Sequence, residues 1–360
     1  MSYILPLGPF HPALRVPQRF ELRVEGEKII DVDYRGGYTD RAVIERLRRA
    51  DLLRSAILVS RFCGAHAQHH ALAWTMALEA LGNIPVPPRA ASLRSVAAEL
   101  ERATAHLHQA ALVFELLGLG QARRQIVALR EWILAAALRL SGRRLGAEYI
   151  RPGGVASDLD EDNRAAILRL VEQPAEALYR LIDRTVRRRH LVRRLVGIGR
   201  LTLEAAERLG VSGPLGRAAG IARDLRLEAP YAAYAGAPPA QVIQPSGDAY
   251  ARLMVLLLEA YDSLQLVQRL LRSLPGGPCV GEPVAALPPG TSTAGVEAPG
   301  GPLHYALRSD GTRLTEIRVE TPGAPQRLTW RALLAGQLVE DAAIIIAGVA
   351  ACPTCAEVAS

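Results

Sequence analysis

Arg61-Phe-Cys-Gly-Ala-His66 and, far downstream, Cys352-Pro-Thr-Cys355 are the two stretches on which the reading of this chain turns. Each has the C-x-x-[C/H] spacing, in which a tight turn aims two soft ligands at one point. Together they offer three thiolates and one imidazole: a legitimate zinc shell, and one that also suits nickel, iron–sulfur and other thiophilic centres. Residues Cys63, His66, Cys352 and Cys355 are therefore the candidate metal ligands, provided that segments about 290 positions apart meet in the fold. The plain alternative is that they never meet, since buried free cysteines are common.

Outward from the first half-site, the hydrophobic pattern is helical from Asp40 onward. Leu93, Val96, Leu100, Leu107, Ala111, Phe114 and Leu117 recur at three- and four-residue steps, predicting one long amphipathic helix after Pro85-Val-Pro-Pro88. Further helices are expected at about 121–141, 161–195, 202–208 and 248–273, with Arg151-Pro-Gly-Gly154 as an intervening loop. Residues 1–36 read as strands: Phe20-Glu-Leu-Arg-Val24 alternates in period two, and Ile29–Tyr34 follows a turn at Glu25-Gly26-Glu27. Proline and glycine thicken at 274–301, and Pro302 to Thr321 reads as a second hairpin turning at Ser309-Asp310-Gly311. A last helix, about 329–338, leads to the terminal cysteines. The expected fold is α+β and mainly α, a helical bundle with small β-sheet layers from both ends. It is read as one domain over 1–360: a β layer at 1–36, a helical core at 40–275, a hairpin at 295–322, and a helix with the cysteine tail at 329–360.

The 360 residues are 49% hydrophobic, with a mean hydropathy of +0.11, enough for a sizeable core. The longest apolar run, Ala342–Ala351, has ten residues, half of what a membrane-spanning helix needs. No secretory leader is read, so a soluble or peripheral protein is expected. The charge of +7 is almost wholly arginine, Lys28 being the only lysine. The densest run, Arg184 to Arg194, reads as a solvated or subunit-facing helix surface. Aromatics, at 5%, do not alternate with the arginines, which argues against nucleic acid as a partner. Four cysteines make no disulfide framework and fit a reducing compartment.

Arg61-x-Cys63-Gly-x-His66-x-x-x-His70 resembles the first metal motif of [NiFe]-hydrogenase large subunits, and Cys352-x-x-Cys355 resembles their second cysteine pair. The rest is similar to the membrane-bound, energy-converting branch and to the 49 kDa subunit of respiratory complex I. Gly8-Pro-Phe-His-Pro12, Gly37-Tyr38 with Arg41, Glu99-Leu-Glu-Arg102 with His106, Tyr149-Ile-Arg-Pro-Gly-Gly-Val155, Gly247-Asp-Ala-Tyr-Ala-Arg252 and Glu297-Ala-Pro all carry the resemblance. It implies the large subunit of a membrane-associated redox complex. It also implies a small partner subunit carrying a [4Fe–4S] cluster, a membrane arm, and a cytoplasmic position on the inner face of the cell membrane.

Departures from the pattern bear on mechanism. In the active hydrogenases the four motif positions are cysteines; here the second is His66, and a neutral imidazole cannot bridge two metals. Gly300 stands where the family has an arginine over the metals. The aspartate and proline usual before the last pair are Ala350 and Ala351, the acidic residue after the Gly-Tyr segment falls on Ile44, and the basic residue after the last pair falls on Val358. A NiFe centre is thus expected to be altered or lost, with zinc or no metal as alternatives. An active hydrogenase with a Cys₃His shell, a quinone-reducing subunit and a non-catalytic zinc scaffold are the competing readings. For quinone, His11 falls on the opening histidine of the complex I subunit, whereas Gly146 replaces a histidine frequent in that branch.

Around the centre, Arg61, His70 and Glu297 are expected as supporting residues. Glu99, Arg102 and His106, at i, i+3 and i+7, read as an internal ion-pair face. Arg151 is expected to be presented rigidly by its loop toward the partner subunit or the centre. His69 matches nothing and is expected to be exposed; Cys279 is assigned no role.

Overall fold

The computed structural model describes residues 2–38, 40–281, 284, 286–322, 327–350, 352 and 355. Ala351 and Val358, singled out above, lie outside them. The chain opens with strands β1 (Ser2–Leu7), β2 (Arg19–Glu25) and β3 (Lys28–Arg35). Helices α1 (Val43–Arg49), α2 (Leu52–Val59), α3 (Ala67–Gly82), α4 (Pro88–Leu116) and α5 (Gly120–Ser141) follow. A two-residue ribbon, β4 (Ile150–Arg151) and β5 (Gly154–Val155), leads to α6 (Glu161–Arg187), α7 (Arg189–Leu195), α8 (Leu203–Arg208), α9 (Gly213–Ala218), α10 (Leu225–Glu228) and α11 (Ala249–Arg272). The last elements are β6 (Gly290–Ala298), β7 (Gly301–Ser309), β8 (Leu314–Glu320), α12 (Arg327–Leu334) and α13 (Ala342–Gly348).

Pro88 begins α4 in its first turn, where a missing N–H costs nothing. This 29-residue helix is the axis of the molecule, packed by α5, α11 and α13. Leu93, Val96, Leu100, Leu107 and Phe114 are all at most 1% exposed. The same helix also buries Arg94, Glu99, Arg102 and His106, so it is enclosed on most sides, with His108 and Glu115 left exposed. Truncating a core residue such as Phe114 to alanine would cost about 3–5 kcal/mol.

The first sheet is antiparallel, in the order β1-β2-β3, with Leu22 opposite Val32. Its inward residues Phe20, Leu22, Ile29 and Val32 pack on Trp330 and Leu333 of α12 and Ile345 of α13. The expected second hairpin is β7–β8, but a further strand, β6, pairs antiparallel with β7. Its composition hid it: Gly290-Thr-Ser-Thr-Ala-Gly-Val-Glu-Ala298 is short in bulky β formers because it is overlaid closely. A Cβ at Gly295 would stand 2.4 Å from the His304 ring.

Two helix boundaries also differ from expectation. The 161–195 helix is interrupted at Arg188, whose extended backbone (φ −81°, ψ 91°) separates α6 from α7. The last predicted helix stops at Leu334, and the apolar run forms its own short helix, α13, with Ile344, Ile345 and Ile346 buried. Most arginines between Arg184 and Arg194 face outward, while Leu191 and Leu195 bury the inner side of α7. No helix among the described residues is long and apolar enough to cross a membrane.

Candidate metal centre

Cys63 sits in the turn between α2 and α3, and His66 is the residue from which α3 starts. The tail brings Cys352 and Cys355 to the same point. Cys63 Sγ lies 3.3 Å from Cys352 Sγ, and His66 Nδ1 lies 3.1 Å from Cys355 Sγ. One ligand atom from each of the four residues falls within 4.8 Å of the others, and all four side chains are buried. A tetrahedral site with bonds of about 2.3 Å to sulfur has ligand–ligand edges of about 3.7 Å, so the spacing fits a single ion.

The electrostatics fit a cation as well. Hydrogen bonds from Cys355 and Cys63 hold the Cys352 thiol well below the usual range. The hydrogen bond to Cys352 in turn pushes Cys63 up to about 12, and burial drives Cys355 well above its ordinary value. The three sulfurs thus share one negative charge among themselves. A divalent cation would supply what all three need to ionise together. Burial holds His66 down to about 4, leaving the imidazole neutral with a lone pair to give.

His70 contributes from the next turn of α3. Its Nε2 lies 3.4 Å from Cys355 Sγ, and its Nδ1 is 2.7 Å from the Tyr305 hydroxyl on β7, so its ring is fixed between strand and thiol. Arg41 donates to the Phe62 carbonyl and pins the first half-site from outside. Arg61 is turned away: its guanidinium pairs with Glu148 at the surface. Arg151 is exposed on β4, where its carbonyl accepts from Arg94, and it is not brought to the cluster. His11 lies in the β1–β2 loop, with Nδ1 accepting from Ala13 N at 3.1 Å.

Above the cluster runs the β6–β7 turn, Ala298 to Gly301. A Cβ at Gly300 would stand 3.5 Å from His66 Cε1 and from the Ala350 carbonyl, so the turn lies directly against the centre's imidazole. The turn approaches α9 so closely that a Cβ at Gly213 (φ +62°) would lie 2.2 Å from the Gly300 carbonyl, and only glycine fits.

Behind the turn is a fully buried ionic network. Arg102 donates to the carbonyls of Glu297 and Ala298. Glu99 accepts from Arg226 (3.0 Å), Tyr234 (2.7 Å) and Ser263 (2.6 Å). Arg217 joins Glu259 (2.5 Å) to Glu297 (2.8 Å), and Arg226 holds Asp224 (2.6 Å). His106 Nε2 lies 2.9 Å from Glu259 but is not aligned as a hydrogen bond. Although burial alone would raise it, Arg226 and Arg102 hold Glu99 down to about 2. Burial pushes Glu297 up instead, and burial lowers His106. Three guanidiniums, those of Arg102, Arg217 and Arg226, thus face the four carboxyl groups of Glu99, Asp224, Glu259 and Glu297.

Two residues were misread or missed. His69 is not exposed: it is fully buried, with Nδ1 2.6 Å from Glu101 Oε2, because α3 is enclosed on nearly all sides. Glu101 was overlooked beside Glu99. It accepts from the backbone N–H groups of Gln68 (2.9 Å) and His69 (3.1 Å), capping the start of α3, whose own first turn has no acid. Burial pushes it up to about 8. An acid two residues from Glu99 points to a different helix face, and that was the available signal. A cavity of about 260 Å³ opens beside the cluster, with Cys63, Cys352, Gln68 and Glu101 in its wall. Arg15 and Val16 of the β1–β2 loop line it, but His11 does not. A Cβ at Gly146 would lie 2.4 Å from Gln68 Nε2, so glutamine takes the space at that wall.

A buried Cys₃His cluster, set between a turn, the start of α3 and the C-terminal segment of an α+β bundle under a strand turn, is the feature to compare. Residues 124–285 match the family of the respiratory-chain NADH dehydrogenase 49 kDa subunit. The chain is 30% identical to the carbon monoxide-induced hydrogenase of Rhodospirillum rubrum, over 99% of both chains. It is 32% identical to formate hydrogenlyase subunit 5 of Escherichia coli over 98% of its own length, spanning 63% of that relative. The solved structure of the membrane-bound sulfane sulfur reductase, an archaeal respiratory membrane complex, contains a chain that superposes with a TM-score of 0.92 at 27% identity, covering 99% of this chain and 98% of that one. The chain belongs to the family that joins hydrogenase large subunits to complex I 49 kDa-type subunits.

Proposed function

We propose that this chain is the large subunit of a membrane-associated, complex I-like redox complex, and that it holds one thiophilic ion in place of a working hydrogen-splitting centre. The convergence of Cys63, His66, Cys352 and Cys355 under the β6–β7 turn carries the reading. Three thiolates and a neutral imidazole offer a complete shell for one ion. They do not offer the paired thiolate bridges that a two-metal centre requires, and Gly300 provides no guanidinium above it. A bound ion would supply Lewis acidity at the inner end of the cavity. His70 orients Cys355, Glu101 fixes the start of α3 and therefore His66, and Arg102 holds the turn over both.

Family membership supports partners of the kind found in such complexes: a small subunit bearing a [4Fe–4S] cluster and a membrane arm. With them the chain would sit peripherally on the inner face of the cell membrane. The quinone-reducing alternative draws less support, because His11 lies outside the cavity wall and Gln68 occupies the space beside Gly146. Metal analysis of the purified protein tests the proposal. One thiophilic ion per chain, with no H₂-dependent dye reduction, is expected. Nickel together with iron, infrared bands of diatomic iron ligands and H₂-dependent dye reduction would overturn it.

A further inference from the structure

We propose that the cavity beside the cluster binds a small anion with an apolar body, its charged end held between Arg130 and Arg15. This rests on reading the cluster as the reactive centre. At about 260 Å³ the cavity is a little below the usual range for ligand pockets, about 300–1,000 Å³, so its occupant is compact. Leu100, Leu134 and Leu140 give it aliphatic walls, and Arg15, Arg130 and Arg144 line it.

Two of these guanidiniums are engaged. Arg144 pairs with Glu131, and Arg15 donates to Gln109 Oε1 at 3.1 Å. Arg130 is different: its Nε is buried without a hydrogen-bond partner among the described residues. Arg130 is half-buried, and an Nε shielded from water without an acceptor is an open donor that an anion in the cavity would satisfy. Three arginines face this cavity against Glu131, which also acts on Arg130, and the Cys63 and Cys352 sulfurs at its inner wall, so positive charge predominates. Glu131 is taken up by Arg144, burial keeps the Glu101 carboxyl protonated near neutral pH, and partial burial keeps His108 neutral. Arg15 acts electrostatically on Cys352 and His66 at one side and on Arg130 and His108 at the other. An anion bridging Arg15 and Arg130 would therefore stand next to the cluster, with its apolar body along the leucines. A neutral, quinone-like molecule would leave Arg130 uncompensated.

The test is calorimetric titration of the full chain with hexanoate and its uncharged analogue hexanamide. Hexanoate is expected to saturate at one per chain and to bind at least about tenfold more tightly than hexanamide. Arg130→Gln should weaken hexanoate about tenfold while leaving hexanamide binding and the thermal midpoint unchanged. Equal affinity for the two probes, an equal loss of both in the variant, or no saturable binding would overturn the proposal. Metal content measured on the same samples keeps the two readings apart. Hexanoate binding by a chain without metal would sink the centre and leave the anion site. One metal per chain without hexanoate binding would do the reverse.

Discussion

Two buried polar regions lie on either side of the β6–β7 turn, and they are held in opposite ways. The network of Glu99, Arg102, Arg217, Asp224, Arg226, Glu259 and Glu297 stands mainly on helices, is closed by hydrogen bonds, and pairs its charges with one another. The Cys/His cluster stands on a turn, a helix start and the tail, and its three sulfurs compete for ionisation, Cys352 being lowered while Cys63 and Cys355 are raised. One region is complete as protein. The other, on the proposed reading, would be completed by a bound ion. Two of the positions read in the sequence as departures from the hydrogenase pattern, His66 and Gly300, belong to the second region, while the motif residues Glu99, Arg102 and Glu297 belong to the first.

The largest expected effect comes from opening the closed region. Glu99→Ala leaves Arg226, Tyr234 and Ser263 without their acceptor and should cost about 3–5 kcal/mol in urea unfolding, or prevent soluble expression. A loss below about 1 kcal/mol would erase the contrast between the two regions. Next is ligand removal: a chelator should lower the stability of the wild-type chain by about 2–4 kcal/mol, and of Cys352→Ser scarcely at all. Equal responses would mean that the cluster binds nothing.

A smaller effect concerns pH. Glu101 is raised by burial from near 4.5 to about 8, so the folded chain holds a proton that the unfolded chain releases. Its contribution is fullest below pH 4.5 and is lost as pH rises through 8. Unfolding of wild type against Glu101→Gln across that window should show a downward slope in the wild type that the variant lacks. Asp262, raised to about 6, titrates in the same direction but is common to both proteins. Parallel profiles would remove Glu101 from the account. The least effect is expected from Gly300→Ala, whose Cβ would make ordinary contacts at 3.4–3.5 Å with Pro322 and His66. A change beyond about 0.5 kcal/mol in denaturant titration would show that the turn lacks the room assigned to it.

The long-range closure of the site was readable because spacing and motif both converge on Cys63, His66, Cys352 and Cys355. The fold class was readable too, since the α4 and α11 patterns are long and periodic. What could not be read was set by tertiary contact. β6 is poor in strand formers because β7 and α3 press on it, and α3 buries His69 because it is covered on several sides. The Arg217, Asp224, Arg226 and Glu259 partners sit on elements whose local pattern gives no sign that they meet. Arg61 and Arg151 lie in motif stretches, yet the structure places the first on the surface with Glu148 and leaves the second exposed.

The contact between Cys63 and Cys352 joins residues 289 positions apart. At ordinary translation rates, roughly 15–60 s separate the synthesis of the two. During that interval the first half-site can offer an ion only a thiol and an imidazole. Any metal captured early is held by half a shell and is free to exchange. On the proposed reading, selection of the ion would wait until Cys352 and Cys355 emerge, which would make them a timer as well as ligands.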